Sequence, residues 1–508
     1  MNTTTKAPKG IWKVIFASSA GTLIEWYDFY IFGSLAIVIA TKFFPQGNPT
    51  AAFLSTLATF AAGFVVRPFG ALVFGRLGDM IGRKYTFMLT LLLMGGATFL
   101  IGCVPGYDTI GFFAPLLVLI LRLLQGLALG GEYGGAATYV AEHAPDHQRG
   151  YWTSWIQTTA TVGLFISLVV ILLTKTMLSK EAFDEWGWRV PFWLSIMMVL
   201  VSYLIRRNMH ESPLFAKAKA EGKTSTNPLK ESFGNRYNLK FVLLALFGAT
   251  MGQGVVWYTG QFYALSFIQK TCNIESTQTD SLLAVALLMG TPFFVVFGWL
   301  SDKVGRKSIM MVGMLLAIIC YRPIYKAMYN LSDLKNKSEL VSNTASDVKA
   351  TVAGNGDSVY HYTTAVTYSD GTLYAYDSTV VIHADKAAEI TKPKVSKATT
   401  MNSSDKWTMI FLVFIQVLFV TMVYGPIAAF LVEMFPVKIR YTSMSLPYHV
   451  GNGIFGGLLP TVAVYLSSRA KDSGQGDWYL EGLWYPIILA SVSLVIGIIY
   501  INSKRRVE

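Results

Sequence analysis

The chain has 508 residues, of which 53% are hydrophobic and only 14% are charged, and its formal net charge is +12. Soluble globular proteins usually carry about 25% charged residues, so this composition excludes an ordinary soluble protein. The polar residues form short islands between apolar runs of roughly 20 to 28 residues, and about 20 such residues let a helix cross a bilayer. The sequence therefore predicts an all-α polytopic membrane protein.

Twelve apolar runs follow one another along the chain, and each predicts one membrane-spanning helix, called a span below. Residues 1–206 are predicted to form an N-terminal six-helix half, 207–238 a cytoplasmic central loop, and 239–508 a C-terminal six-helix half. Lysine and arginine are concentrated in alternate loops. By the positive-inside rule this predicts that both termini are cytoplasmic, with the chain in the cytoplasmic (inner) membrane. The same distribution explains the positive charge without a nucleic-acid partner.

Five ionisable side chains interrupt the apolar sequence of spans 1, 2 and 4, namely Glu25, Asp28, Arg67, Arg122 and Glu132. A charged group at the bilayer centre costs roughly 2.5 to 3.5 kcal/mol on insertion scales and usually marks a functional site. Arg122 and Glu132 share one stripe of span 4 but lie about 15 Å apart along its axis, since a helix rises about 1.5 Å per residue. Each therefore needs a partner on another helix, and the predicted pairs are Asp28 with Arg122 and Arg67 with Glu132.

Two interpretations of these pairs stay open. They are static ion pairs that join helices, or they form a proton switch in which protonation of Asp28 releases Arg122 to an anionic substrate. Glu25 and Glu132 are further candidates for proton coupling, because Glu25 shares a helix face with Asp28 and Glu132 shares a stripe with Arg122.

Aromatic and amide side chains in the same spans, and in spans 7 and 11, are candidates for the substrate site. Aromatic residues at helical spacing also serve as ordinary packing. A histidine in span 11 is either a neutral hydrogen-bonding group or a proton relay. The predicted substrate-binding residues are Arg122, Arg67, Tyr27, Trp26, Gln125, Trp257, Tyr258, Gln261, His449 and Asn452.

A charged turn occurs twice, as GRLGDMIGRK between spans 2 and 3 and as GWLSDKVGRK between spans 8 and 9. A second pattern, Glu-x₂-Pro-x₃-Arg, follows both span 4 and span 10. Both repeats have an interval of six spans, which indicates a duplicated six-helix unit. The turns are predicted to hold helix ends together in one conformation and release them in another. The predicted gating residues are Asp79, Arg83, Glu142, Arg149, Asp302, Arg306, Glu433 and Arg440.

Residues 331–405 separate spans 9 and 10 and differ in composition from the rest of the chain. Alternating β-branched and aromatic residues surround Asp370-Gly371, a strong signal for a β-hairpin. The flanking Lys-, Ser-, Thr- and Asn-rich runs are interpreted as flexible tethers. We expect a small β-rich extracytoplasmic insert, which is either a decoration or a surface for a partner or the substrate.

Several segments resemble a known family. GRLGDMIGRK is similar to the loop 2–3 signature of the major facilitator superfamily. GTLIEWYDFYIFG, FVVRPFGALVFGRLGD, RLLQGLALGGEYGGAATYVAEHAPDHQRG and EMFPVKIRYTSMSL resemble its metabolite:proton symporter family. The resemblance implies proton-coupled symport of a small carboxylate or betaine-like zwitterion, with a site near the midplane between the two halves. It also supports Asp28, since related symporters use a span 1 carboxylate near a span 4 arginine.

Other function classes receive less support from the sequence. An exporter or antiporter of the same fold is the main alternative, and a transporter-like sensor is a weaker one. No nucleotide loop, metal cluster or nucleophile–base motif occurs, so neither an enzyme nor a cofactor or metal is predicted. The expected partners are a small-molecule substrate, protons and the lipid bilayer, and the chain is expected to be monomeric.

Overall fold

The computed structural model describes residues 10–45, 49–340, 345–352, 358–382 and 394–501. In these residues, ten helical segments are long and apolar enough to cross a membrane by length and composition. The first two predicted spans are helical as well, although span 2 is divided at Val66. The predicted twelve-helix, multi-pass architecture is confirmed.

The helices and strands have the following bounds. Span 1 is Ile11–Ser34 with the continuation Ala36–Phe43, and span 2 is Pro49–Val65 with the continuation Arg67–Met80. Spans 3 to 6 are Arg83–Cys103, Phe113–His143, Asp146–Met177 and Gly187–Arg207. Spans 7 to 12 are Arg236–Thr271, Ser276–Val304, Arg306–Ser332, Ser403–Met434, Val437–Asp472 and Trp478–Tyr500. A helix in the central loop, Pro213–Ala220, is called the loop helix, and the strands are β1 Ala345–Val352, β2 Ser358–Thr367, β3 Leu373–Ile382 and β4 Lys394–Thr400.

The two copies of the charged turn have the same backbone geometry. Gly82 begins span 3 with φ 131°, and Gly305 begins span 9 with φ 97°. Only glycine adopts such angles without steric strain. Each glycine lets the chain reverse direction immediately before an arginine, Arg83 or Arg306, so the duplicated sequence produces duplicated arginine positions.

The insert is a four-stranded antiparallel sheet in the order β1-β2-β3-β4. The predicted hairpin is confirmed, because β2 and β3 pair around the turn that contains Gly371, whose φ is 85°. The interpretation of the flanking runs as flexible tethers is wrong for residues 345–352 and 394–400, which form the two outer strands. Both outer strands contain β-branched Val and Thr residues, which suit a strand that pairs on one edge with the hairpin.

The insert is anchored to the helical bundle at its hairpin turn and along β4. Lys337 donates to the carboxylates of Asp370 and Asp405, both at 2.5 Å. Although partial burial acts in the opposite direction, hydrogen bonds from Lys337 and Thr372 lower the pKa of Asp370 to about 2. The backbone N–H of Thr399 donates to the carbonyl of Asn273, between spans 7 and 8, at 2.8 Å. Asp405 lies at the start of span 10 and Asn273 lies between spans 7 and 8, so these described contacts join the sheet to the helices of the C-terminal half.

Candidate functional site

The predicted pair of Asp28 and Arg122 is confirmed. Arg122 Nη1 lies 2.9 Å from Asp28 Oδ2, and Gln125 donates to Asp28 Oδ1, also at 2.9 Å. Gln125 donates to Thr98 of span 3 as well. Both carboxylate oxygens of Asp28 therefore have partners from span 4. Asp28 is 1% exposed, and these contacts lie within the N-terminal half.

The predicted pair of Arg67 and Glu132 is wrong. Arg67 Nη1 lies 3.1 Å from Glu25, whereas Glu132 lies 2.7 Å from Arg206 at the end of span 6. Glu132 also accepts a hydrogen bond from Thr90 at 2.7 Å. Two different ion pairs replace the single predicted one, because span 1 supplies a carboxylate to Arg67 and span 6 supplies an arginine to Glu132.

Arg206, at the end of span 6, is a buried residue that the sequence analysis did not select as a candidate. It is 0% exposed and donates to the carbonyls of Ala17 and Phe87, at 3.0 and 2.7 Å. Its guanidinium lies 3.4 Å from the centre of the Phe87 ring. Together with Glu132 it joins spans 1, 3, 4 and 6, an arrangement typical of a structural ion pair.

The pair of Glu25 and Arg67 differs from the other two because residues of both halves surround it. Glu25 is within electrostatic range of Tyr133 from span 4 and of three tyrosines from spans 7, 10 and 11. Those three residues are Tyr258, Tyr424 and Tyr448. Glu25 remains 8% exposed and Arg67 16% exposed, compared with 2% for the Asp28 side chain.

Aromatic rings connect the halves around this pair. The rings of Tyr133 and Tyr448 are stacked with centroids 3.7 Å apart, and the Tyr424 and Tyr448 hydroxyls are 2.6 Å apart. Trp26 of span 1 meets Trp257 of span 7 with ring centroids 5.2 Å apart. The result is a ring of aromatic side chains, called the aromatic cage below, formed by Trp26, Tyr133, Trp257, Tyr258, Tyr424 and Tyr448.

Two buried polar atoms near the aromatic cage, Arg67 Nε and Trp257 Nε1, have no hydrogen-bond partner among the described residues. Buried polar groups are nearly always satisfied in native proteins, so each such atom needs an explanation. Trp257 is 3% exposed and His449 2% exposed, and His449 lies within electrostatic range of Arg67. A ligand between the halves is the economical explanation.

Other predicted substrate residues occupy different positions. The Tyr27 hydroxyl donates to the Pro191 carbonyl at 2.7 Å, which directs it to span 6 within the first half. Asn452 and Gln253 exchange amide hydrogen bonds at 3.0 and 3.1 Å. Gln261 is buried in span 7.

Four residues of this region were not selected from the sequence as substrate contacts. Tyr133 lies on the polar stripe of span 4, so its position was visible as a pattern, whereas nothing in the local sequence distinguishes the others. They are Tyr133, Gln157, Tyr424 and Tyr448.

The predicted gating residues lie together at one end of the bundle, called the turn end below. Asp79 is fully buried and accepts hydrogen bonds from the backbone N–H groups of Tyr441 and Thr442, at 3.3 and 2.8 Å. These N–H groups belong to the first turn of a helix in span 11, where a carboxylate is favoured electrostatically. Arg83 lies 3.2 Å from Asp79 and 3.5 Å from Glu142.

The second copy of the charged turn repeats this arrangement with the roles of the two halves exchanged. Asp302 of the C-terminal half accepts hydrogen bonds from the backbone N–H groups of Gly150 and Tyr151, at 2.9 and 2.7 Å, in the first turn of a helix in span 5. Arg306 lies 2.9 Å from both Asp302 and Glu433. Each aspartate therefore caps a helix of the other half.

Two further ion pairs cross between the halves at the turn end. Arg440 lies 3.0 Å from Glu142, and Arg149 lies 3.9 Å from Glu433. The central loop also contributes, because the Ser212 hydroxyl bonds Glu142. These contacts hold the halves together at the turn end, and the conformation is closed there.

Comparison with known proteins agrees with this fold. Residues 13–236 match the family model described as "Sugar (and other) transporter". The chain superimposes on the proton:xylose symporter XylE, bound to 6-bromo-6-deoxy-D-glucose, with a TM-score of 0.66 and 16% identity over 97% of this chain and 95% of that chain. This likeness shows the fold alone.

Curated relatives extend over most of the chain. The alpha-ketoglutarate permease of Escherichia coli K12 is 29% identical over 98% of this chain and 95% of its own length. The inner membrane metabolite transport protein YhjE of the same strain is 31% identical over 90% of this chain and 88% of its own length. The proline/betaine transporter of the same strain is 32% identical over 62% of this chain and 64% of its own length. The chain therefore belongs to the metabolite:proton symporter family of the major facilitator superfamily and is a membrane transporter of small metabolites.

Proposed function

We propose that the protein is a proton-coupled symporter for a small zwitterionic or carboxylate metabolite. The observation that carries this proposal is the Glu25–Arg67 pair, which lies among aromatic side chains of both halves, with the unpartnered Arg67 Nε and the unpartnered indole nitrogen of Trp257. Arg67 binds the substrate carboxylate, because a guanidinium matches carboxylate geometry. The aromatic cage and Glu25 accommodate a cationic or quaternary ammonium group, which aromatic faces attract.

The proposed site also takes in Trp257 and His449. The indole N–H of Trp257 is a donor only, so it suits a substrate oxygen. His449 acts as a neutral hydrogen-bonding group there, in agreement with its burial and with the arginine nearby. Names of relatives favour the same chemistry, since they include an alpha-ketoglutarate permease and a proline/betaine transporter.

Proton coupling is assigned to Asp28 with Arg122. The hydrogen bonds from Arg122 and Gln125 to Asp28 join span 4 to span 1, so protonation of Asp28 acts on the packing of these two helices. Loss of the carboxylate charge weakens the bonds from Arg122 and Gln125 that join span 1 to span 4. Because span 1 carries both Asp28 and Glu25, protonation changes the position of the substrate-binding carboxylate. Glu132, which is saturated by Arg206 and Thr90, has a structural role in this proposal.

The proposed orientation places the turn end and both termini in the cytoplasm, and residues 331–405 on the outer side. Lysine and arginine predominate in the turns at that end, as the positive-inside rule requires. Residues 1–206 and 239–508 move as the two halves, with 207–238 as the connecting loop. Opening of the turn end then breaks the reciprocal aspartate caps and the crossed ion pairs.

The test uses purified protein in proteoliposomes with an imposed inward proton gradient. Radiolabelled glycine betaine, proline and 2-oxoglutarate are supplied outside, with and without a protonophore. One proton driven by about 150 mV supplies roughly 3.5 kcal/mol, from about 2.3 kcal/mol per charge per 100 mV, which supports accumulation of a neutral solute by several hundredfold. Accumulation that ignores both the gradient and the protonophore for every transported solute would exclude symport, and proton-driven efflux would favour an antiporter.

Variants connect this test to the site. Arg67→Gln is expected to abolish saturable uptake of the transported solute. Arg76→Gln, an exposed position on the same helix, serves as the matched control and is expected to leave uptake unchanged. Equal uptake by the two variants would remove Arg67 from the substrate site.

A further inference from the structure

A charged cavity lies at the turn end, apart from the proposed substrate site. Its volume is about 800 Å³, which is within the range of about 300–1,000 Å³ typical of small-molecule sites. Its walls come from four parts of the chain: the start of span 5, the loop helix with the residues after it, Tyr237 at the start of span 7, and the segment from Glu433 to Arg440.

The lining of this cavity has an excess of positive charge. Five cations, Arg149, Lys217, Lys223, Lys438 and Arg440, face three carboxylates, which gives a net charge of +2. All three carboxylates are held in ion pairs, and two of the cations pair with carboxylates outside the lining, since Arg440 lies 3.0 Å from Glu142 and Lys438 lies 2.9 Å from Glu231. Asp146 lies 2.8 Å from Arg149, Glu221 lies 2.7 Å from Lys223, and Glu433 lies 2.9 Å from Arg306 outside the cavity.

The lysines are the most exposed cations of this lining. The Lys217 side chain is 75% exposed, and its amine is 3.9 Å from the nearest carboxylate oxygen recorded for it, in Glu221. The side chains of Lys223 and Lys438 are 73% and 49% exposed. Such amines act as adaptable point charges for phosphate oxygens. Tyr237 and Phe435 add aromatic surface to the same cavity. Its volume of about 800 Å³ accommodates an anion larger than a single orthophosphate.

We propose that this cavity binds a phosphate-bearing anion and that binding stabilises the conformation closed at the turn end. Arg149 belongs to the N-terminal half and Lys438 to the C-terminal half, so the cavity is complete only while the halves are in contact. A ligand that binds one conformation better shifts the equilibrium towards it by its difference in affinity. In the proposed orientation the anion comes from the cytoplasm, or from a lipid headgroup at that surface, and slows release of substrate into the cell.

The probe of this conformation is Thr138 of span 4, which is 0% exposed and donates to Met444 of span 11 at 3.2 Å. A cysteine at this position reacts with a maleimide only when the turn end opens. The protein is placed in phosphatidylcholine nanodiscs with Cys103, Cys272 and Cys320 replaced by alanine. Inorganic tripolyphosphate is then titrated, and sodium chloride of equal ionic strength is the control.

Tripolyphosphate is expected to slow the labelling of Thr138→Cys about elevenfold at ten times its dissociation constant, if the open state does not bind it. The double variant Lys217→Gln/Lys223→Gln is expected to need at least about tenfold more tripolyphosphate, since two ion pairs are removed. Lys219→Gln changes an exposed lysine of the same loop helix that does not line the cavity, and it is expected to behave like the parent.

Addition of phosphatidylglycerol to the nanodiscs distinguishes the source of the phosphate. Slower labelling with this lipid, abolished in the double variant, would identify a headgroup as the ligand, whereas an effect of tripolyphosphate alone would identify a soluble anion. The proposal fails if neither slows labelling, if sodium chloride has the same effect, or if the double variant and Lys219→Gln respond equally. The measurement requires no transport, so it is independent of the proposed substrate.

Discussion

Neutralising Asp79 is expected to open the turn end. Its carboxylate accepts two backbone hydrogen bonds from span 11 of the opposite half, at 2.8 and 3.3 Å, and is fully buried. A hydrogen bond to a charged group contributes about 1.5–3 kcal/mol net. Asp79→Asn retains one acceptor oxygen and loses the other together with the charge, so we expect the closed state to lose about 2 kcal/mol, a roughly 30-fold shift towards the open state.

The assay is maleimide labelling of Thr138→Cys, the position in contact with Met444 across the interface. Asp79→Asn is expected to accelerate labelling roughly 30-fold while the open state remains a minor population. Asp302→Asn is expected to act in the same direction, because Asp302 caps Gly150 and Tyr151 in the same way. Asp108→Asn, at an exposed position away from these contacts, is the matched control.

Two results would refute this reasoning. Labelling that stays at the parental rate while transport is lost would mean that the turn acts on membrane insertion or folding. Faster labelling in Asp79→Asn together with parental labelling in Asp302→Asn would mean that the two caps are not equivalent, against the duplicated geometry.

Four further predictions concern contacts elsewhere in the protein. Asp28→Asn is expected to abolish accumulation of substrate in proteoliposomes but to preserve exchange of preloaded substrate, because exchange does not require proton release; continued accumulation would move the coupling site to Glu25. Arg206→Met leaves the buried Glu132 without its ionic partner, so it is expected to cost about 3–5 kcal/mol and to lower the midpoint of thermal unfolding in detergent; adding Glu132→Gln is expected to restore part of the loss. Trp257→Phe keeps an aromatic ring but removes the unpartnered indole N–H, so substrate affinity is expected to fall about tenfold or more, and unchanged affinity would remove this donor from the site. The carboxylate of Asp370, whose pKa is lowered to about 2, stabilises the docked hairpin above the ordinary pKa of 3.8 and loses this contribution as pH falls towards 2. The protection of the amides of residues 368–372 against hydrogen exchange, relative to their intrinsic rate at each pH, is expected to fall over that window, whereas in Asp370→Asn it is expected to stay constant.

The sequence alone determined the membrane architecture and the internal duplication. Apolar runs of sufficient length have one stable solution in a bilayer, a helix that satisfies its own backbone hydrogen bonds. The repeated decapeptides located the turns, and glycine at residues 82 and 305 is required there by the backbone angle. The Asp370-Gly371 hairpin was equally local, because two residues specify the turn.

Only the tertiary structure decided the partners of Arg67 and Glu132. Charge and spacing on span 4 showed that Glu132 needs a partner on another helix, but helix positions determined that the partner is Arg206 and that Arg67 turns to Glu25. The strands β1 and β4 likewise depend on pairing with the hairpin, so their polar composition alone indicated tethers. The aromatic cage combines spans 1, 4, 7, 10 and 11, from Trp26 to Tyr448, and contacts between residues so far apart in sequence leave no local signal.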